Sequence, residues 1–195
     1  MSGTHTDATI SRQVRRLETL LEERGIVVGA ALDEMLDAFL AGASPVNGAR
    51  VVARAWTDPA YKERLLADGT AAVTELGYSA GGVQPQRLRV VENTEDAHNV
   101  VVCTLCSCYP VRLLGPSPSW YKSEAYRSRV VREPRAVLAE FGLRLPEATD
   151  VTVWDSSAET RYLVLPRRPA DTAGLTEDEL AARVTRNGLI GTAAL

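Results

Sequence analysis

No apolar run in this chain approaches the ~20 residues a helix needs to cross a bilayer, so no membrane role is expected. The opening Met1-Ser-Gly-Thr-His lacks the basic and apolar regions of a secretory signal, and the expected compartment is the cytoplasm. Basic patches interleaved with aromatic residues are missing, which argues against a nucleic-acid partner. Histidine is limited to His5 and His98, and there is no internal repeat. Cysteine is scarce and odd in number, three residues in all, whereas a disulfide framework wants an even count spread through the chain. What is present is ordinary for a soluble protein: 195 residues, 45% hydrophobic, net charge -3. That fits one compact domain, or a domain with an appendage.

The three cysteines, Cys103, Cys106 and Cys108, fall within six residues. At most one strained bridge could form among them, and one thiol would always be left over. A lone cysteine usually reads as a small buried hydrophobe, but Cys-x-x-Cys-x-Cys is a concentration of soft donors that favours thiophilic transition metals. A structural zinc site would need a fourth protein ligand. If residues 98–103 are extended at about 3.3 Å per residue, His98 lies about 16 Å from Cys103 and cannot supply it. A thioredoxin-like Cys-x-x-Cys opens a helix after a strand, yet the third cysteine, Ser107 and Tyr109-Pro110 are poor helix material. The spacing therefore points to a metal or redox loop, with metal ahead of disulfide.

Along the chain, residues 1–10 read as a disordered tail. Ser11 can cap a first helix carrying Val14, Leu17 and Leu21 at helical spacing, closed by Gly25. A second helix, residues 30–40, presents Leu32, Met35, Leu36 and Phe39. Residues 11–45 thus form a helical arm whose apolar stripe faces either its own core or another chain, and residues 46–195 form the main domain. Residues 42–48 read as a loop, residues 49–56 as a short helix, and Asp58-Pro59 as the start of the next. A further helix follows from Thr70 and closes at Gly77. The period then shifts to branched, strand-like runs at residues 88–91 and 100–102, so the cysteine loop follows a strand. Residues 109–119 read as irregular and stiff. Ser123 caps a helix to Val131, and Pro134 restarts one to Phe141. Residues 152–154 and 161–165 read as strands. Thr176 to Glu179 is a capping box, and Asn187-Gly188 a turn. The expected class is α+β, layered helices around a small sheet.

The stretch Val102-Cys-Thr-Leu-Cys-Ser-Cys-Tyr109 resembles the metal-binding loop of the alpha subunit of cobalt-type nitrile hydratases. It is also similar to that of the related thiocyanate hydrolase subunit. Residues 47–56, 91–94, 120–122, 126–135, 154–159 and 161–166 resemble further stretches of the same subunit, so the likeness runs from about Ser11 to the end. It implies the family's layered alpha-subunit fold and a beta subunit, in one or two chains, supplying arginines to the site. It also implies a non-corrin cobalt(III), with iron less favoured because Thr104 and Tyr109 match the cobalt type. A cobalt-delivering activator is a further implied partner.

The resemblance implies that Cys103, Cys106 and Cys108 ligate through sulfur, and Ser107 and Cys108 through backbone nitrogen. A sixth position is left for water or substrate. Cys106 and Cys108 would be oxidised to sulfinic and sulfenic acid, and Cys108, Cys106 and Ser107 are the expected catalytic residues. The trivalent ion would act as a Lewis acid toward a nitrile or water, giving an amide. Asp155, Glu159 and Arg161 match positions that brace the loop, although such residues at strand ends are commonly an ordinary ion network. Gln84 matches a glutamine near the substrate pocket, or is a loop amide facing water. Val111-Arg112 stands where the family commonly has Trp-Pro, which implies a wider pocket with an added cation and a bulkier, more polar nitrile, such as a nucleoside nitrile. Arg112 could instead contact a partner chain. The competing readings are the thiocyanate hydrolase subunit and a metal-binding or redox module without turnover.

Overall fold

The computed structural model describes residues 3–26, 29–79, 86–106 and 108–195. The chain divides into two compact units, residues 1–41 and 42–195. The first holds two helices, α1 (Gly3–Glu23) and α2 (Gly29–Ala41). Helix α1 starts eight residues before the expected cap, Ser11, which lies inside it. Nothing in residues 3–10 breaks a helix, since no proline occurs there, and propagating an existing helix costs far less than nucleating one. Val14, Leu17, Leu20, Met35, Leu36 and Leu40 are all exposed.

The second unit opens with three helices, α3 (Pro45–Thr57), α4 (Pro59–Ala67) and α5 (Gly69–Glu75). Each begins at a side-chain cap: Ser44, Asp58 and Asp68 accept from the backbone N–H of Val46, Tyr61 and Ala71. Part of the expected loop at residues 42–48 is therefore helical, because Ser44 caps and Pro45 supplies a pre-set first residue. Gly48 lets α3 approach the chain after the cysteine loop, since a Cβ there would lie 2.8 Å from the Leu113 carbonyl.

Four strands follow: β1 (Arg87–Glu92), β2 (Ala97–Val102), β3 (Asp150–Asp155) and β4 (Thr160–Leu165). They form two parallel pairs, with Arg87 opposite Thr160 in one and Ala97 opposite Asp150 in the other. The β2–β3 register ends with Val102 opposite Asp155, so the cysteine loop leaves its strand beside that carboxylate. The crossover between β2 and β3 carries α6 (Val111–Leu114), α7 (Ser119–Lys122), α8 (Glu124–Val130) and α9 (Pro134–Glu140). Residues 109–119, expected to be irregular, thus include the short turn α6. Ser123 caps α8 and Pro134 opens α9 as read from sequence.

After β4 come a 3-10 turn, α10 (Glu177–Arg183) with its Thr176/Glu179 capping box, and α11 (Arg186–Ile190). Asn187 and Gly188 lie inside α11 and not in a turn, because Thr185 caps the Gly188 N–H at 3.1 Å. Gly191 (φ 91) ends α11 against β2, where a Cβ would clash with the Asn99 carbonyl. The core joins Val51, Val52 and Leu65 of the helical layer to the strand residues Val100, Val101, Val102, Leu163 and Val164. Helices layered on small parallel strand pairs make the fold α+β.

Candidate metal centre

Strand β2 is buried along nearly its whole length and delivers Cys103, itself buried, to the start of the loop. The Sγ atoms of Cys103 and Cys106 are 3.3 Å apart, as are those of Cys106 and Cys108, and all three lie within 4.8 Å of one another. None of the three is bridged. The Cys106 N–H donates to Cys103 Sγ at 3.3 Å, which curls the turn back on itself. Leu105, at its tip, is 90% exposed, so packing does not hold the turn.

Hydrogen bonds hold it instead. Asp155 accepts from the Thr104 N–H at 2.9 Å and from its hydroxyl at 2.5 Å. Arg127 Nη1 of α8 donates to the Thr104 carbonyl at 3.2 Å. Two buried tyrosines fasten the ends: Tyr126 Oη donates to the Val101 carbonyl at 2.7 Å, and Tyr121 Oη to that of Cys108 at 3.0 Å. Burial pushes both phenols up, so they remain protonated donors. Edge-to-face packing of Trp120 on Tyr126 (4.9 Å) and Phe141 (4.7 Å) fixes this platform.

Burial also pushes the Cys108 thiol up to about 12, with its hydrogen bond to Cys106 adding to the rise, while the charge of Arg161 acts in the opposite direction. Three convergent sulfurs, two of them contacting the third, suit a thiophilic transition metal. A metal ion bound there would have to displace the thiol protons.

The structure thus brings together Cys103, Cys106, Cys108 and Asp155. Arg161 is buried on β4, with Nη1 bonded to the Ser157 carbonyl and Nε without a hydrogen-bond partner among the described residues. Glu159 stays at the exposed end of the β3–β4 connection, where the Ser157 hydroxyl donates to it at 2.9 Å and holds its carboxyl below the usual range. Val111 and Arg112 open α6, and Asn47 donates to the Arg112 carbonyl at 2.8 Å. Ser107 and Gln84 lie outside the described residues. Arg127, Tyr121 and Tyr126 went unassigned in the sequence. Their only signal was membership in the two family-like stretches at residues 120–122 and 126–135.

The family description "Nitrile hydratase, alpha chain" matches residues 8–193. The chain is 52% identical over 183 residues to the cobalt-containing nitrile hydratase subunit alpha of Pseudonocardia thermophila, spanning 93% of this chain and 89% of that one. It is 49% identical over 158 residues to thiocyanate hydrolase subunit gamma of Thiobacillus thioparus, spanning 76% of this chain and 65% of the relative. Among solved structures, a double mutant of the Fe-type nitrile hydratase from Comamonas testosteroni Ni1 superposes with TM-score 0.89 at 44% identity, covering 96% of this chain and 91% of that chain. Likeness that holds across nearly the whole length, in sequence and in backbone, is more than a shared loop. The chain belongs to the nitrile hydratase alpha-chain family.

Proposed function

We propose that this chain is the metal-bearing alpha subunit of a cobalt nitrile hydratase, adding water to a C≡N group to give an amide. The observation that carries the reading is the convergence of three sulfurs on a loop pinned by Asp155. Cobalt is favoured over iron by the cobalt-containing relatives, although an Fe-type structure is also similar.

Cys103, Cys106 and Cys108 would hold the ion through sulfur, and Ser107 and Cys108 through backbone nitrogen. Once bound, cobalt(III) supplies Lewis acidity for the nitrile or the attacking water. Cys106 and Cys108 would carry sulfinic and sulfenic oxygens, and that of Cys108 would either act as the nucleophile on the nitrile carbon or orient the attacking water. Asp155 keeps the turn in register. Arg161 places a buried positive charge that acts on Cys108. Glu159 and Gln84 belong to the surrounding shell, and the beta subunit supplies further arginines against the sulfur oxygens. Val111 and Arg112, in place of Trp-Pro, give a wider mouth suited to a bulkier, polar nitrile. Better turnover of small aliphatic nitriles than of bulky polar ones would overturn that assignment.

Residues 11–45 would act as the arm that docks on the partner, which the exposed row of Val14, Leu17, Met35 and Leu36 supports. No helix among the described residues is long and apolar enough to cross a membrane, which suits a cytoplasmic enzyme.

Intact mass of the peptide spanning residues 103–108, with elemental analysis of the same sample, tests the reading. Cobalt with two added oxygens on Cys106 and one on Cys108 is expected, and zinc with three reduced sulfurs would overturn it. Thiocyanate hydrolysis is the second reading, favoured by the gamma-subunit relative. Assay of the complete complex on thiocyanate and on nitriles separates the two.

A further inference from the structure

Three peptide groups join Cys103 to Cys106, and their orientations set where the second sulfur stands relative to the first. The peptide between Cys103 and Thr104 is held by its N–H on Asp155 Oδ1 at 2.9 Å. The peptide between Leu105 and Cys106 is held by its N–H on Cys103 Sγ at 3.3 Å. The middle one, between Thr104 and Leu105, is held by the Arg127 Nη1 donor on the Thr104 carbonyl at 3.2 Å. Leu105 is 90% exposed, so no side-chain packing substitutes for that bond. A flip of the middle peptide would turn its N–H toward a guanidinium, which has only donors, so Arg127 permits one orientation of the two.

We propose that Arg127 is a positioning residue of the metal loop: it fixes the middle peptide while Asp155 fixes the first, so that Cys103 and Cys106 are spaced for a metal before the metal arrives. The inference rests on reading the cysteines as metal ligands. Arg127 is well placed for this because α8 is itself anchored. Ser123 caps it, the next residue back, Tyr126, is bonded to Val101, and the Arg127 N–H bonds to the Ser123 carbonyl at 3.1 Å. Arg127 Nε is buried and has no hydrogen-bond partner among the described residues, so the bond from Nη1 to the Thr104 carbonyl is not shared with one from Nε. A lysine would keep the charge but replace the planar fork with one swinging ammonium.

The test is anaerobic titration of the reduced full-length chain with cobalt(II), followed by sulfur-to-metal charge-transfer absorption and by competition with a chromophoric chelator. Arg127→Gln is expected to bind cobalt(II) about 10- to 100-fold more weakly than wild type, the usual scale for removing a partner of a ligand loop, with a shifted charge-transfer band. Arg127→Lys should fall between the two. Arg129→Gln, which removes two surface ion pairs two residues away, should bind like wild type. A folded Arg127→Gln chain with wild-type affinity and spectrum would overturn the inference while leaving the functional reading standing. If that variant does not fold, wild-type affinity in Arg127→Lys overturns it instead. A wild-type chain that binds no cobalt(II) overturns both the inference and the functional reading.

Discussion

Thr104 concentrates the chemistry of the loop although it carries no ligand atom. Its N–H, hydroxyl and carbonyl are all held by protein groups, two of them by Asp155. Asp155→Ala would leave the solvent-accessible Thr104 N–H and hydroxyl to water, at about 0.5–1.5 kcal/mol for each lost hydrogen bond. The expected outcome is loss of bound metal from the purified complex, measured by elemental analysis, with the thermal midpoint of the metal-free chain lowered by only a few degrees. Cys108→Ser combined with Cys106→Ala removes two of the three sulfurs, and complete loss of nitrile hydration is expected in the assembled complex. Retained turnover in that double variant would refute the proposed function. The sulfur clustering was legible in the sequence because the three cysteines are local, two and three residues apart. The Arg127 and Tyr121 contacts were not, because they span 23 and 13 residues and depend on how the β2–β3 crossover folds back.

At the scale of elements, β2 is held in place by a buried amide and imidazole network. The Asn99 N–H and Nδ2 both donate to Asn93 Oδ1, at 2.7 and 3.0 Å, so the Asn93 amide presents Nδ2 to His98 Nδ1 at 3.2 Å. His98 Nδ1 must then accept, and Nε2 donates to the Gly191 carbonyl at 2.7 Å. A protonated ring would set one donor against another. Burial lowers the His98 pKa below 6.5, with the Gly191 carbonyl pulling the other way. Glu95, Arg167 and Arg168 line the same cavity of about 380 Å³. Because the folded value is depressed, the unfolded chain takes up the proton first. Stability is therefore full above pH 6.5 and falls as pH drops below it. The thermal midpoint should decline between pH 7 and pH 5, and His98→Gln should flatten that slope while lowering the midpoint at pH 7. Gly191→Ala tests the same junction by sterics, since its Cβ would overlap the Asn99 carbonyl. Severe destabilisation is expected in thermal unfolding. The strands themselves were legible from short runs of branched residues. The helix over residues 186–190 was hidden because Asn-Gly reads as a turn unless a cap precedes it, and here Thr185 does.

For the whole molecule, the first unit, residues 1–41, leaves several large apolar residues exposed, among them Val14 and Leu17 at 57% each, Met35 and Leu36. Leucine and valine side chains left in water forgo about 1.5–3 kcal/mol each relative to full burial, which a docked partner subunit would recover. Deleting residues 1–41 should therefore abolish co-purification with the beta subunit and leave residues 42–195 folded, as read by circular dichroism and size-exclusion chromatography. Co-purification at wild-type yield would show that the arm is not the docking element.

The local pattern of residues was enough to determine three things: a cluster of soft donors at the end of a strand, the starts of α4, α8, α9 and α10 through Asp58, Ser123, Pro134 and Thr176, and the α+β alternation of period. Each depends on neighbours within a few positions, where side-chain chemistry acts directly on the adjacent backbone. Only the tertiary structure decided that β2 pairs with β3 so that Asp155 meets Thr104, and that α8 returns to bring Arg127 and Tyr126 against the loop. Parallel pairing requires a long crossover, and where that crossover lands is set by burial across the whole core rather than by any stretch read alone.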